Sequence, residues 1–291
     1  MARKNNYSSE ANYILKPHLL FSLLSDFNMY MGDSLRSIEE GRVSVAFATS
    51  RKPIHDTFFY LCWLLSSGDD LLNKIQYSNK AKDYDISEFK RGKSDFIITT
   101  LSNAIDEVIC PWNGKELYEL LYTKDKSDLA SVWNKSLHII TNDKNHTTNP
   151  KNLNFVFANN DIWNNLWGYY YSVFLHIYHI AMRVAIKIFQ DIFKISENYR
   201  VINQVILDIK YLEIIGIEDD DIKSAYKYIL EHTEFYCDKC ASIYNNQFLL
   251  EEILTKNLFA CQHCGHMERV GNYIIDDPEI EKIINNRRII I

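Results

Sequence analysis

Apolar residues recur at helical spacing through most of this chain. Tyr13–Phe27 carries such a pattern, and Asp33 is placed to cap a second helix running toward Thr49. Pro53 ends that helix and opens the next, over Ile54–Leu65, because proline suits a first helical turn. Further helices are predicted over Asp95–Ile109, Lys115–Tyr122 and Asp128–Ile140. Thr141–Asn160, rich in Asn, Thr and Lys, reads as a surface loop. Asp161 then caps the longest helix, Ile162–Ile195, followed by Arg200–Ile215 and Asp221–His232. Asp277-Pro-Glu279 combines a cap, a first-turn proline and a first-turn acid, so a last helix reaches about Arg288. The expected fold class is all-α: a bundle-like domain over 1–233, a small four-cysteine zinc ribbon over 234–275, and a C-terminal helix over 276–291. The first boundary falls where helical periodicity gives way to paired cysteines.

Composition agrees with this architecture. The chain has 291 residues, with 9 glycines and 5 prolines, too few for a many-turned all-β protein. The net charge of −6 argues against a surface given over to nucleic acid. The N-terminal residues lack the apolar core of a secretory signal, and the apolar run Leu166–Phe189 is interrupted by His176, His179, Arg183 and Lys187. A cytoplasmic protein with no membrane span is the expectation.

Cysteine spacing carries the clearest chemistry. Cys237-x-x-Cys240, twenty residues, then Cys261-x-x-Cys264 is the arrangement of a zinc ribbon. Two residues between cysteines let one tight turn present both sulfurs to one ion. With four thiolates the site is closed, so Zn²⁺ is expected to be structural. His263 and His266 are surplus to it. Residues 233–291 hold nine acids and six bases, which favours protein contact over DNA binding. Cys62 and Cys110 lie in apolar helical surroundings and read as core thiols.

Two regions offer candidate catalytic residues. On the long helix, Asp161, Asn165, Ser172, His176, His179, Arg183, Lys187 and Gln190 fall on one narrow polar stripe. That stripe is either a thin solvent edge or the lining of a cleft with His176, His179 and Arg183 in it. The second region is Arg51-Lys-Pro-Ile-His55-Asp56, which opens the helix FFYLCWLL. Arg51 and His55 would join the stripe in an enzyme acting on phosphodiesters, a His serving as general base and an Arg steadying phosphate charge.

The Arg–His pair beside a helix resembles the HEPN ribonucleases of bacterial toxin and antiviral systems. Only three residues separate Arg51 from His55, fewer than in the HEPN motif, so the resemblance implies a HEPN-like scaffold rather than its catalytic motif. His18, His55-Asp56 and Asp106 resemble the ligand order of HD phosphohydrolases, although Thr57-Phe58-Phe59 follows where that family has a small residue. Arg51-Lys-Pro-Ile with its following helix, Trp133–Thr141 and Asn152–Phe157 together resemble an uncharacterised bacterial family of helical, HEPN-like proteins ending in a zinc ribbon. That resemblance implies fold and not activity. The leading expectation is an intracellular zinc-binding protein working through a protein partner or an oligomer of itself, in antiviral defence or a mobile-element system. The alternatives are the phosphodiester-cleaving enzyme and a nucleic-acid-binding module led by the ribbon.

Overall fold

The computed structural model describes residues 8–123, 129–140, 160–195, 197–216, 233–235, 239–243, 258–269 and 273–275, with 148, 150, 151, 153 and 237. The expected helices Asp221–His232 and Asp277–Arg288, most of the loop Thr141–Asn160, and the segment Asn152–Phe157 lie outside the described residues or nearly so. The fold is predominantly helical. It packs as two units, Met1–Lys194 and Ile195–Ile291, so the division falls ahead of the change in sequence pattern near Glu234.

The first unit is built on three long helical segments. Helix α1 spans Ser8–Glu39 without a break, so Asp33 lies inside it and pairs with Arg36 rather than capping a new helix. The chain reverses later, at Gly41, whose φ of +76° is left-handed. Helix α2 (Val43–Arg51) then leads into a π-turn over Lys52–Thr57 and into α3 (Phe58–Tyr77). Pro53 therefore does not stop the helix. It lacks an amide hydrogen, and the wider turn accommodates it, with the Phe58 amide donating to the Pro53 carbonyl five residues back. Side chains tie the turn to α1: Lys52 Nζ lies 2.8 Å from Asp26 Oδ1, and the Thr57 hydroxyl donates to the other Asp26 oxygen at 3.2 Å. Asn12 donates to Asp69, and Gln76 donates to Asn12, so α3 runs antiparallel to the N-terminal half of α1.

Helix α8 (Asn160–Phe193) packs antiparallel to α1. Tyr170 meets Ser34 at 2.7 Å, and Ser34 also donates to the Ala46 carbonyl, a buried link between α1, α2 and α8. Tyr178 bonds Asn28, and Phe21 contacts Phe189. Shorter helices α4 (Ile86–Gly92), α5 (Ser94–Ile105), α6 (Gly114–Tyr122) and α7 (Leu129–Leu137) close the remaining sides. Asn113 caps α6, with its side chain accepting from the Lys115 and Glu116 amides while Glu116 accepts from the Asn113 amide. The core joins these helices around Phe58, Phe59, Trp63, Trp133, Tyr170 and Phe174.

Gly114 sits at a close crossing of α5 and α6. A Cβ there would lie 2.6 Å from the Ser102 amide nitrogen and 2.7 Å from its Cα, and backbone cannot rotate aside. Gly114→Ala is expected to cost about 1–3 kcal/mol or more, the range for overpacking. Urea unfolding read by circular dichroism measures it, and an unchanged midpoint would contradict the crossing described.

The second unit contains α9 (Glu197–Ile214) and two short antiparallel strand pairs. Strand β1 (Thr233–Phe235) pairs with β4 (Tyr273–Ile275), and β2 (Leu258–Ala260) pairs with β3 (Met267–Arg269).

Candidate metal centre and polar stripe

The two strand pairs bring the cysteine turns together. Cys237 follows β1, and Cys261-x-x-Cys264 forms the tip of the β2–β3 hairpin. The turns repeat one hydrogen-bond scheme. Cys237 N donates to Ser242 O at 3.0 Å, and Cys261 N donates to His266 O at 2.8 Å. Ala241 N donates to Cys237 O, and Gly265 N donates to Cys261 O. The residue after each second cysteine takes a positive φ, +56° at Ala241 and +68° at Gly265. Glycine is suited to that conformation and alanine is strained in it.

All four sulfurs lie within 4.8 Å of one another and could hold a metal ion. Cys237 Sγ is 3.6 Å from Cys264 Sγ, and Cys240 Sγ is 3.6 Å from Cys261 Sγ. A tetrahedron with about 2.3 Å from zinc to each sulfur has edges of about 3.8 Å, so these spacings fit. Each turn contributes one buried cysteine, Cys237 or Cys261, and a more exposed one, Cys240 or Cys264. Ser242 Oγ stands 3.2 Å from Cys240 Sγ, and hydrogen bonding with Ser242 holds that thiol below its ordinary pKa. His263 is exposed and His266 half-buried. Among the described residues, this is the one group of three or more His, Cys, Asp or Glu close enough for a metal; His18, His55, Asp56 and Asp106 form none.

The polar stripe of α8 departs from a plain solvent edge. Asn165 and Ser172 are exposed, but the stripe sinks into the first unit, and His179, Arg183 and Gln190 are buried. The segment after α5 covers it. Trp112 meets the His176 ring edge-on at 5.5 Å. Arg183 donates to the Glu107 carbonyl at 3.2 Å, and Lys187 Nζ lies 3.7 Å from the Glu107 carboxylate. Glu107 turns its carbonyl there by adopting a φ of +67°. Nothing in the local sequence marks Glu107 or Trp112 as the partners, since Arg183 and Glu107 are 76 residues apart. Side-chain positions for Asp161 are outside the described set.

Burial first, and then the neighbouring His179, hold His176 below the ordinary imidazole value of 6.5. The unfolded chain therefore takes up the proton before the folded one. His176 contributes stability that is complete above about pH 6.5 and is lost as the pH falls toward its folded value. His176→Gln is expected to flatten the difference in unfolding free energy between pH 7.5 and pH 5.5. Urea titrations at both pH values read this, and an unchanged difference counts against the buried setting.

Arg51 and His55 have different settings, although one turn separates them. Arg51 is exposed, whereas His55 is buried between Tyr122, at 5.0 Å, and Trp133, at 5.9 Å. The His55 Nδ1 lies 2.5 Å from Asp56 Oδ1, and the Tyr122 hydroxyl donates to the His55 carbonyl. Trp133 is fixed in turn by donating to Ser50 Oγ at 3.1 Å. His55 is thus held by α6 and α7, whereas His176 and Arg183 face the segment after α5. Cys62 is buried, with burial raising its thiol pKa, and the half-buried Cys110 is raised for the same reason.

One described helix, Trp163–Phe193, is long and apolar enough to cross a membrane, and over half of its apolar window is buried within the fold. No protein-family model, curated protein or solved structure matches the chain.

Proposed function

We propose that this chain is an intracellular zinc-binding helical protein that acts through contact with a partner protein or a second copy of itself. The closed set of four thiolates carries the reading. A metal ringed by four cysteines has no open position for water or substrate, so it would supply folding energy rather than chemistry. Zn²⁺ is the ion we assign, because thiolates in tetrahedral reach suit it and it brings no redox demand. The contact role is supported by exposed aromatic surface: Phe21, Phe189 and Phe193 stand exposed in one cluster, with ring centroids 4.6–6.5 Å apart. A cytoplasmic setting in bacterial defence or a mobile element rests on the HEPN-like resemblance alone.

Sedimentation of the zinc-loaded chain tests this. Self-association is expected to raise the mass above 34.2 kDa with concentration, and Phe189→Asp is expected to return it to that value. A chain that stays monomeric throughout overturns the self-association branch. RNA or nucleotide hydrolysis that disappears in His55→Ala would overturn the non-enzymatic reading.

A further inference from the structure

Helix α8 carries a second aromatic feature, about half a turn of the helix away from the His179–Arg183 stripe. Trp163, Trp167 and Tyr171 are spaced four residues apart, so their rings form a ladder along one edge. The two tryptophan planes lie within 15° of each other at 6.4 Å, and Trp167 meets Tyr171 at 4.8 Å. Trp163 is anchored, donating from its indole nitrogen to the Gly41 carbonyl at 3.2 Å. Trp167 and Tyr171 remain open, 41% and 37% exposed. Large rings held rigidly in solvent offer contact area at little entropic cost.

Charge decides which ligand suits the ladder. The neighbouring end of α1 and its turn carry Asp33, Arg36, Glu39, Glu40 and Arg42. Arg36 is paired with Asp33 at 3.5 Å and Arg42 with Glu40 at 2.6 Å, so both cations are compensated. Among the described residues at that end, Glu39 is the surplus charge. It is exposed, and its field reaches both Tyr170 and Tyr171. Aromatic faces are themselves negative and attract cations. Phosphates would meet surplus negative charge here, whereas ammonium and guanidinium groups would meet rings beside a carboxylate. The whole chain, at −6, would steer the same kind of partner toward it.

We propose that the Trp163–Trp167–Tyr171 ladder, with Glu39 at its side, docks a lysine- and arginine-rich segment of a partner protein. This rests on the reading that the chain works by protein contact, and it supplies the partner's chemistry. Ring faces take the cationic heads and aliphatic stems, and Glu39 provides the counter-charge.

The test uses the zinc-loaded full chain and a fluorescein-labelled peptide of about ten residues alternating lysine and arginine with glycine. Fluorescence anisotropy is read at low salt, with a glutamate–glycine peptide and an oligouridylate of equal length as comparisons. Saturable binding of the basic peptide alone is expected. Trp167→Ala is expected to weaken it about fivefold to tenfold, and Glu39→Gln about threefold. A urea midpoint equal to the parent's shows that each variant folds, and Tyr77→Ala, an exposed aromatic at the end of α3 and outside both aromatic clusters, should bind as the parent does. Absence of saturable binding, unchanged binding by Trp167→Ala, or preference for the oligouridylate overturns the proposal. If the peptide fails while assembly sensitive to Phe189→Asp persists, the ladder proposal falls alone. If both fail, the protein-contact reading falls with it.

Discussion

Cys261→Ser is expected to release the metal and unfold the ribbon while leaving the helical unit intact. Cys261 is buried, and its sulfur, amide and carbonyl all take part in the turn. Each of the strands flanking the turns is three residues long, too short to hold together by pairing alone. On the proposed reading, metal binding supplies the folding energy, and structural zinc in small domains contributes about 10–16 kcal/mol. Removing one thiolate forfeits most of it. The helical core, from Leu20 to Ile188, contains none of the four cysteines, so its unfolding should be unchanged. Elemental analysis should find a single equivalent of zinc per chain in the parent and none in the variant. Amide exchange should rise across 258–269 and stay low across 58–77. A variant that keeps its zinc, or a ribbon that stays protected without it, would refute the closed site. Because the ligands are thiolates, acidification should release the metal too. Ala241→Gly, which removes a strained left-handed alanine, should retain metal at least as well as the parent.

Some of this architecture is written locally and some is not. The helix over Lys115–Tyr122 was legible because Asn113 and Glu116 cap it through neighbouring backbone, and the metal turns because two-residue cysteine spacing closes within a single turn. The π-turn was hidden, since Pro53 read alone is a stop. The helix continues because Lys52 and Thr57 are fastened to Asp26 on another helix. The stripe on α8 was visible as a pattern, yet its fate was not. Periodicity shows that His179 and Arg183 share a face but cannot say what covers it. The helix expected to reach Ile109 ends at Ile105, and that early end frees Glu107 to turn its carbonyl toward Arg183. Periodicity likewise cannot say that Trp167 and Tyr171 stand in solvent on a helix that is mostly apolar. Exposure of Trp167 emerges only once α1 and α3 have taken their places on the other side.

Phe59→Ala is expected to destabilise the helical unit by about 3–5 kcal/mol, the range for deleting a buried phenylalanine side chain. Phe59 is fully buried and touches Tyr60, Trp63, Phe89, Phe96 and Tyr122, so one ring joins α3 to α4, α5 and α6. Trp63 extends the same cluster, meeting Phe89 and Phe96 at 5.2 Å. A void there cannot be refilled cheaply, because rigid rings on four elements would have to move together. Phe59→Leu retains most of the volume and should cost less, about 1.5 kcal/mol. Urea unfolding followed by tryptophan fluorescence reads both, as a lowered midpoint with an unchanged slope. A loss below about 1 kcal/mol for Phe59→Ala would mean that the cluster is not packed as described. The same variant should keep its zinc, while Cys261→Ser should keep its helical midpoint. That reciprocal independence follows if each unit has its own source of stability, aromatic packing in one and, on the proposed reading, thiolate–metal bonds in the other. It also lets a loss of partner binding be assigned to a surface rather than to unfolding: Trp167 and Phe189 are exposed on a helix whose buried face this core secures.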